Sequence, residues 1–190
     1  MFQHLQTDRL RIFKIWQGGP GIWGAIFFGG VGAFAAYIYL SRSRSLPAFR
    51  YFADAVAPGI VFAQAIGRWG NWFNAELFGK PTNLPWGLEI PLWARPIGMS
   101  NIATYHPTFL YESLFCFLIG LVLLRLSSRL RGGQIFSLYV LLYCVGRFYF
   151  ETLRIDYAHH LGGIRINVIV ALCVAISSAI TFRHFSKSER

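Results

Sequence analysis

Five apolar runs alternate with short polar segments along the chain, at residues 21–40, 55–73, 108–126, 134–153 and 166–182. About 20 apolar residues at about 1.5 Å each cross the roughly 30 Å hydrocarbon core of a bilayer. The pattern therefore predicts an all-α fold: one domain, built as a polytopic transmembrane helical bundle of about five spans. Small residues recur every four positions in the first two runs, as Gly21, Ala25, Gly29 and Ala33 and as Gly59, Ala63 and Gly67. Such rows let membrane helices approach closely. Residues 74–106 are too polar and too interrupted by Pro and Gly to span. Their tryptophans favour an ordered outer loop (74–106) lying on the membrane interface.

The charges set an orientation. Arg42, Arg44 and Arg50, then Arg125, Arg129 and Arg131, then Arg183, Lys187 and Arg190 follow the first, third and fifth runs, with Glu189 the one acid among them. Lys and Arg concentrate in cytoplasmic segments, so the carboxyl end is expected inside and the second and fourth runs lead outward. The net charge of +10 is spread in these short clusters beside apolar runs, which argues against nucleic-acid binding. Cys116, Cys144 and Cys173 each sit inside an apolar run without metal-ligand or disulfide spacing, and are expected to be small buried residues. Residues 1–20 read as polar or interfacial. Met1 to Lys14 holds charges and no apolar core, so no cleavable leader is expected there.

Two polar constellations interrupt the apolar runs. At helical spacing Gln64, Arg68 and Asn71 share a face, with Asn74 three residues on. In the fourth run Tyr139, Tyr143, Arg147 and Glu151 recur at four-residue steps, with Arg154 three further. An arginine at the centre of a membrane helix costs roughly 2.5–3.5 kcal/mol on insertion scales, so it calls for a partner or a task. Arg68 snorkelling or pairing with a carboxylate, and an internal Arg147–Glu151 pair, are the structural alternatives. Both arginines fall roughly 7–9 Å inside the outward ends of their runs at about 1.5 Å per residue, the depth of a lipid phosphate. Two guanidinium forks there suit one phosphate diester, which favours a lipid-phosphate site over two separate structural pairs.

Gly67-Arg68-Trp69-Gly70-Asn71-Trp72-Phe73-Asn74-Ala75-Glu76-Leu77-Phe78-Gly79 resembles the G-R-x-G-N-x-x-N-x-E-x-x-G signature of the bacterial prolipoprotein diacylglyceryl transferases, with Trp72 where the family usually has Phe. His106-Pro107-Thr108-Phe109-Leu110-Tyr111-Glu112 is similar to their H-P-[ST]-x-L-Y-E stretch. Gly146-Arg147-Phe148-Tyr149-Phe150-Glu151-Thr152-Leu153-Arg154 is similar to their G-R-F-x-x-E-x-x-R helix. The actinobacterial branch looks closest, through Ile15-Trp16-Gln17-Gly18-Gly19, Leu84-Pro85-Trp86-Gly87-Leu88-Glu89, and Arg154-Ile155-Asp156 with His159-His160.

The resemblance implies transfer of the diacylglyceryl group of phosphatidylglycerol to the lipobox cysteine thiol of a prolipoprotein signal peptide, with glycerol phosphate released. It implies a multi-pass protein of the bacterial cytoplasmic membrane, its active site toward the outer face, with no cofactor and no metal. Arg68 and Arg147 are the expected phosphate ligands, and Asn71 and Asn74 the expected partners of the headgroup glycerol. Glu76 and Glu151 are expected to orient the arginines, and Gly79 and Arg154 complete the lipid site. Many family members carry a histidine in an H-G-G stretch where this chain has Trp23-Gly24-Ala25, which leaves His106 and Tyr111 as candidate proton acceptors. His106 as a cap of the third span is the alternative. Family chains begin with further membrane helices ahead of this one's start, so a truncated or inactive paralogue serving as a lipid-binding scaffold is the rival reading. A small transporter would use the same charges but predicts paired halves, and no internal repeat is visible.

Overall fold

The computed structural model describes residues 22–130, 132–156 and 160–188. The segment 1–20, Gly21, Arg131, His159, Glu189 and Arg190, all invoked above, lie outside the described residues. Two units are distinguished, residues 1–49 and 50–190. In the first, α1 (Ile22–Ser41) occupies the first apolar run. It is tied to the turn after it by Tyr37, whose hydroxyl donates to the Pro47 carbonyl at 3.0 Å, and by Phe34 and Tyr37 packing edge-on against Phe49.

The second unit is built on α2 (Phe49–Gly67), α3 (Trp69–Phe73), α4 (Thr108–Leu126), α5 (Gln134–Leu153) and α6 (Ile166–Ser188). Among the described residues, two helices are long and apolar enough to cross a membrane, Thr108–Leu126 with a mean hydropathy of 2.0 and Ile166–Lys187 with 1.9. The first is 39% buried and the second 11%, so α4 is the central helix and α6 lies at the periphery. Helices also occupy the other three runs: α5 fills the fourth at the expected ends, α1 is displaced by one residue, and the second run differs. The run expected over 55–73 is two helices: α2 starts six residues earlier, and the chain turns at Arg68, between Gly67, where α2 ends, and Trp69, where α3 begins. α6 runs on past 182 to Ser188.

The core follows one stripe on each helix: Ala57, Val61 and Ala65 of α2 meet Cys116, Ile119 and Leu123 of α4 and Ile135 and Tyr139 of α5. These recur at three- and four-residue spacing, which puts them on one face. The small-residue row of α2 is turned the other way. Gly59, Ala63 and Gly67 are exposed, and a Cβ at either glycine would meet nothing within 4 Å. Close approach falls elsewhere, at Gly120, where the Phe62 ring lies, and at Gly146, where the Phe115 ring lies. Cys116 and Cys144 are buried as expected; Cys173 is exposed, because its face of α6 looks outward.

Polar side chains lock these helices by donating to backbone carbonyls. Ser113 of α4 donates to Ala65 O at 2.8 Å and Ser178 of α6 to Ser137 O at 2.6 Å. Asp54 of α2 caps α5 from outside: its carboxylate accepts from the amides of Gly133 at 2.6 Å and Phe136 at 2.8 Å. Unpaired amides at a helix start favour an anion there, and Gly133, at φ 94°, supplies the left-handed turn that presents them.

The loop between α3 and α4 adds short strands to the helical fold. β1 (Leu88–Glu89) pairs antiparallel with β2 (Thr104–Tyr105) over a small apolar cluster of Phe78, Ile90 and Tyr105. A second pair, β3 (His160–Leu161) with β4 (Ile164–Arg165), bridges α5 and α6.

Candidate active site

The loop after α3, the start of α4 and the end of α5 are held by one backbone crossing. Gly79 N donates to His106 O at 2.9 Å, His106 N to Lys80 O at 3.0 Å, and Lys80 N to Leu153 O at 2.9 Å. Gly79 has no room for a side chain there: a Cβ would stand 2.8 Å from His106 Cβ and 2.9 Å from Thr108 Cγ2. This accounts for the last glycine of the first motif on packing alone. Between Asn74 and Gly79 the chain passes through two left-handed residues, Ala75 at φ 48° and Leu77 at φ 57°. Each costs on the order of 1–2 kcal/mol for a residue with a Cβ. The turn delivers the Leu77 carbonyl to the Thr108 hydroxyl at the start of α4.

Arg68, at the turn after α2, reaches across to α4 and α5. Its Nε lies 2.8 Å from Oε2 of Glu112, and its NH2 donates to the Tyr143 hydroxyl at 3.1 Å. Arg147 of α5 forms the expected pair with Glu151 one turn on, with NH2 2.9 Å from Oε2. Both arginines line one cleft, together with Glu112, Phe115, Cys116, Tyr143, Gly146 and Phe150. The glycine of the third motif makes room for this arrangement, since Phe115 occupies the space beside Gly146.

Glu151 is 2% exposed and carries more than Arg147. Its Oε1 accepts from Arg165 NH1 at 3.0 Å and from the Asn167 amide at 3.2 Å. Arg154 is buried, its backbone bridged to Gly79 and its Nε donating to Asp156 Oδ1 at 2.6 Å. Burial works against its charge, but the Asp156 carboxylate, with Glu112 and Glu151 beyond it, outweighs burial and holds the Arg154 pKa above its ordinary value.

The other expected residues fall in two places. Asn71 is half-buried, and its carbonyl accepts from Glu76 N at 2.9 Å; Asn74 is exposed and donates to Glu76 Oε1 at 3.1 Å. Glu76 thus braces Asn74 instead of an arginine, and the carboxylate that orients Arg68 is Glu112. His106 Nδ1 lies 3.3 Å from the Tyr111 hydroxyl, which also accepts from Trp86 Nε1 at 2.8 Å. The side chain of His106 therefore does not cap α4, whose cap position is Pro107. Neither His106 nor Tyr111 is among the residues lining the arginine cleft.

Four participants went unassigned in the sequence reading. Glu112 stood at the end of a motif as an acid one turn inside an apolar helix, which is itself a demand for a cation. Tyr143 shared the face of Arg147. Arg165 and Asn167 carried no such signal, because they begin a run after a glycine turn and look like ordinary boundary residues.

The profile of the prolipoprotein diacylglyceryl transferase family matches residues 1–183. The chain is similar to a phosphatidylglycerol–prolipoprotein diacylglyceryl transferase of Streptomyces griseus, 52% identical over 176 residues, covering 91% of this chain and 51% of the relative. One of the Streptomyces coelicolor enzymes of that name is 58% identical over 163 residues, 84% of this chain and 50% of the relative. That of Cutibacterium acnes is 52% identical over 170 residues, 88% and 56%. These relatives bear out the actinobacterial resemblance, and the chain spans about half the length of the curated relatives it matches. With the motifs placed as described, the chain belongs to the prolipoprotein diacylglyceryl transferase family.

Proposed function

We propose that this chain transfers the diacylglyceryl group of phosphatidylglycerol to the cysteine thiol of a prolipoprotein lipobox. The observation that carries the reading is the cleft in which Arg68 and Arg147, from two different helices, stand together, each beside a buried carboxylate. A thiolate sulfur attacks the glycerol carbon of the lipid, the carbon–sulfur bond forms, and the carbon–oxygen bond to phosphate breaks. The leaving glycerol phosphate takes the bonding electrons, and guanidinium groups fixed beforehand stabilise that charge without reorganising. Asn71 and Asn74, at the turn after Arg68, receive the headgroup glycerol. His106 and Tyr111, 3.3 Å apart where α4 begins and outside the arginine cleft, are the candidate acceptors of the thiol proton. The nucleophile is the substrate's own cysteine.

The five apolar runs are the spans in this reading, with the carboxyl end in the cytoplasm and the cleft toward the outer face of the cytoplasmic membrane. The test is expression in cells depleted of their own diacylglyceryl transferase, with a lipobox reporter followed by its mobility shift. The shift is expected with the wild-type chain and not with Arg68→Ala. No shift from a membrane-inserted wild-type chain overturns the transferase reading, and phosphatidylglycerol binding measured on the same preparation then identifies a lipid-binding scaffold.

A further inference from the structure

Arg165 and Asn167 lie outside the three motifs and outside the cleft, yet both point at Glu151. The two oxygens of that carboxylate are served unequally. Oε1 accepts from Arg165 NH1 at 3.0 Å and from the Asn167 amide at 3.2 Å. Oε2 stands 2.9 Å from Arg147 NH2 but receives no aligned N–H. A carboxylate this deeply buried takes its orientation from the donors aimed at it. The rotamer of Glu151 is therefore set from Arg165 and Asn167, and Arg147 is drawn to the charge so placed. Arg165 is itself anchored, with NH2 donating to the Asp156 carbonyl at 2.7 Å.

The charges are as telling as the geometry. In this network of described residues, Arg68, Arg147, Arg154 and Arg165 face three carboxylates, Glu112, Glu151 and Asp156. One positive charge is left over. Because Glu151 is shared between two guanidinium groups, it cannot neutralise Arg147 fully. Without Arg165, the carboxylate is free to align with Arg147 and to compete with any incoming anion.

We propose that Arg165, with Asn167, is a positioning residue that keeps Arg147 under-neutralised and so sets the affinity of the cleft for the phosphate of an anionic lipid. The inference rests on the phosphatidylglycerol reading given above. Its test is the binding of phosphatidylglycerol to the full chain in detergent, read as lipid-dependent thermal stabilisation, with zwitterionic phosphatidylcholine as control. Arg165→Gln is expected to weaken phosphatidylglycerol binding about tenfold, the scale of one unit charge acting through an effective dielectric of about 20. Arg165→Lys keeps the charge and is expected to fall between. The double variant Arg165→Gln/Glu151→Gln removes the carboxylate that would otherwise neutralise Arg147 and restores the surplus charge there; it is expected to recover most of the affinity, which a merely structural role does not allow. In the transferase assay, the loss appears in KM with kcat nearly unchanged.

Wild-type affinity in Arg165→Gln, or a double variant no better than the single one, overturns the inference and leaves the lipid site standing. A wild-type chain with no preference for phosphatidylglycerol overturns both. Should Arg165→Gln not fold, the near-isosteric Asn167→Asp adds a negative charge at the same place; undiminished lipid binding there overturns the inference equally.

Discussion

The Arg68–Glu112 pair is open to a quantitative test. The two side chains are 15% and 6% exposed, 2.8 Å apart, and they join the turn after α2 to the first turns of α4. Breaking a buried pair by removing one partner costs about 3–5 kcal/mol, because the other charge is left buried. Arg68 keeps the Tyr143 hydroxyl at 3.1 Å, which places Glu112→Ala at the lower end, about 3 kcal/mol. Glu112→Gln keeps an acceptor and loses the charge-assisted part of the contact, about 1.5–2 kcal/mol. Arg68→Ala strands Glu112, 5% exposed in the helix interior, and is expected to cost about 3 kcal/mol as well. The double variant strands neither charge, so its loss is expected to fall short of the sum of the single losses by about 2–3 kcal/mol. The assay is reversible unfolding of the full chain in mixed micelles, followed by circular dichroism. Losses that add to within about 0.5 kcal/mol would refute the pairing, because uncoupled sites behave that way.

Three further substitutions probe the scaffold. In Gly146→Ala the new Cβ falls 2.0 Å from Phe115 Cε1, so the ring must move out; a loss of about 1–3 kcal/mol on thermal unfolding is expected, relieved when Phe115→Leu is combined with it. Gly79→Ala meets the fixed Cβ of His106 at 2.8 Å and Leu153 O at 3.2 Å, neither of which can swing aside; faster hydrogen exchange at the Lys80 and His106 amides is the expected outcome, and wild-type protection would count against the crossing. Asp54→Ala removes the acceptor for the Gly133 and Phe136 amides and is expected to cost about 1–2 kcal/mol of unfolding free energy, with Asp54→Asn costing less.

The bounds of α4 and α5 were legible because both helices start at punctuation, Pro107 in one case and Gly132-Gly133 in the other. The division of the second run was not, since hydropathy continues through Trp69, Trp72 and Phe73 while the chain turns at Arg68. Its early start was hidden for the opposite reason. Arg50 and Asp54 make the first turns of α2 look like loop, yet Asp54 is there to cap another helix, a use no local pattern reveals. Ala57-Val61-Ala65 and Gly59-Ala63-Gly67 both recur every four positions on α2, so spacing alone does not say that the first turns inward and the second outward. In the site, spacing within one helix found the Arg147–Glu151 pair. Contacts between elements have no such periodicity, so the sequence pattern points to Glu76 for the role that Glu112 fills and carries no sign of Arg165 and Asn167.

The pairing pattern resolves two opposed demands. Four arginines near the ends of apolar helices need carboxylates, because unpaired guanidinium groups oppose burial in lipid or protein. A phosphate site needs the reverse, a cation with donors to spare. Complete pairing would satisfy the fold and close the site, while bare arginines would open the site and weaken the fold. Two carboxylates each shared by two guanidinium groups, Glu151 by Arg147 and Arg165 and Asp156 by Arg154 and Arg165, lie between these limits: every arginine in the network has an acidic neighbour, and a single charge stays unmatched. An anion that meets that charge relieves repulsion the fold otherwise carries, so under the proposed function bound phosphatidylglycerol adds stability as well as being held. Substitutions that tighten the resting network are then expected to weaken the lipid site, which makes the surplus charge a functional feature and not a defect of packing.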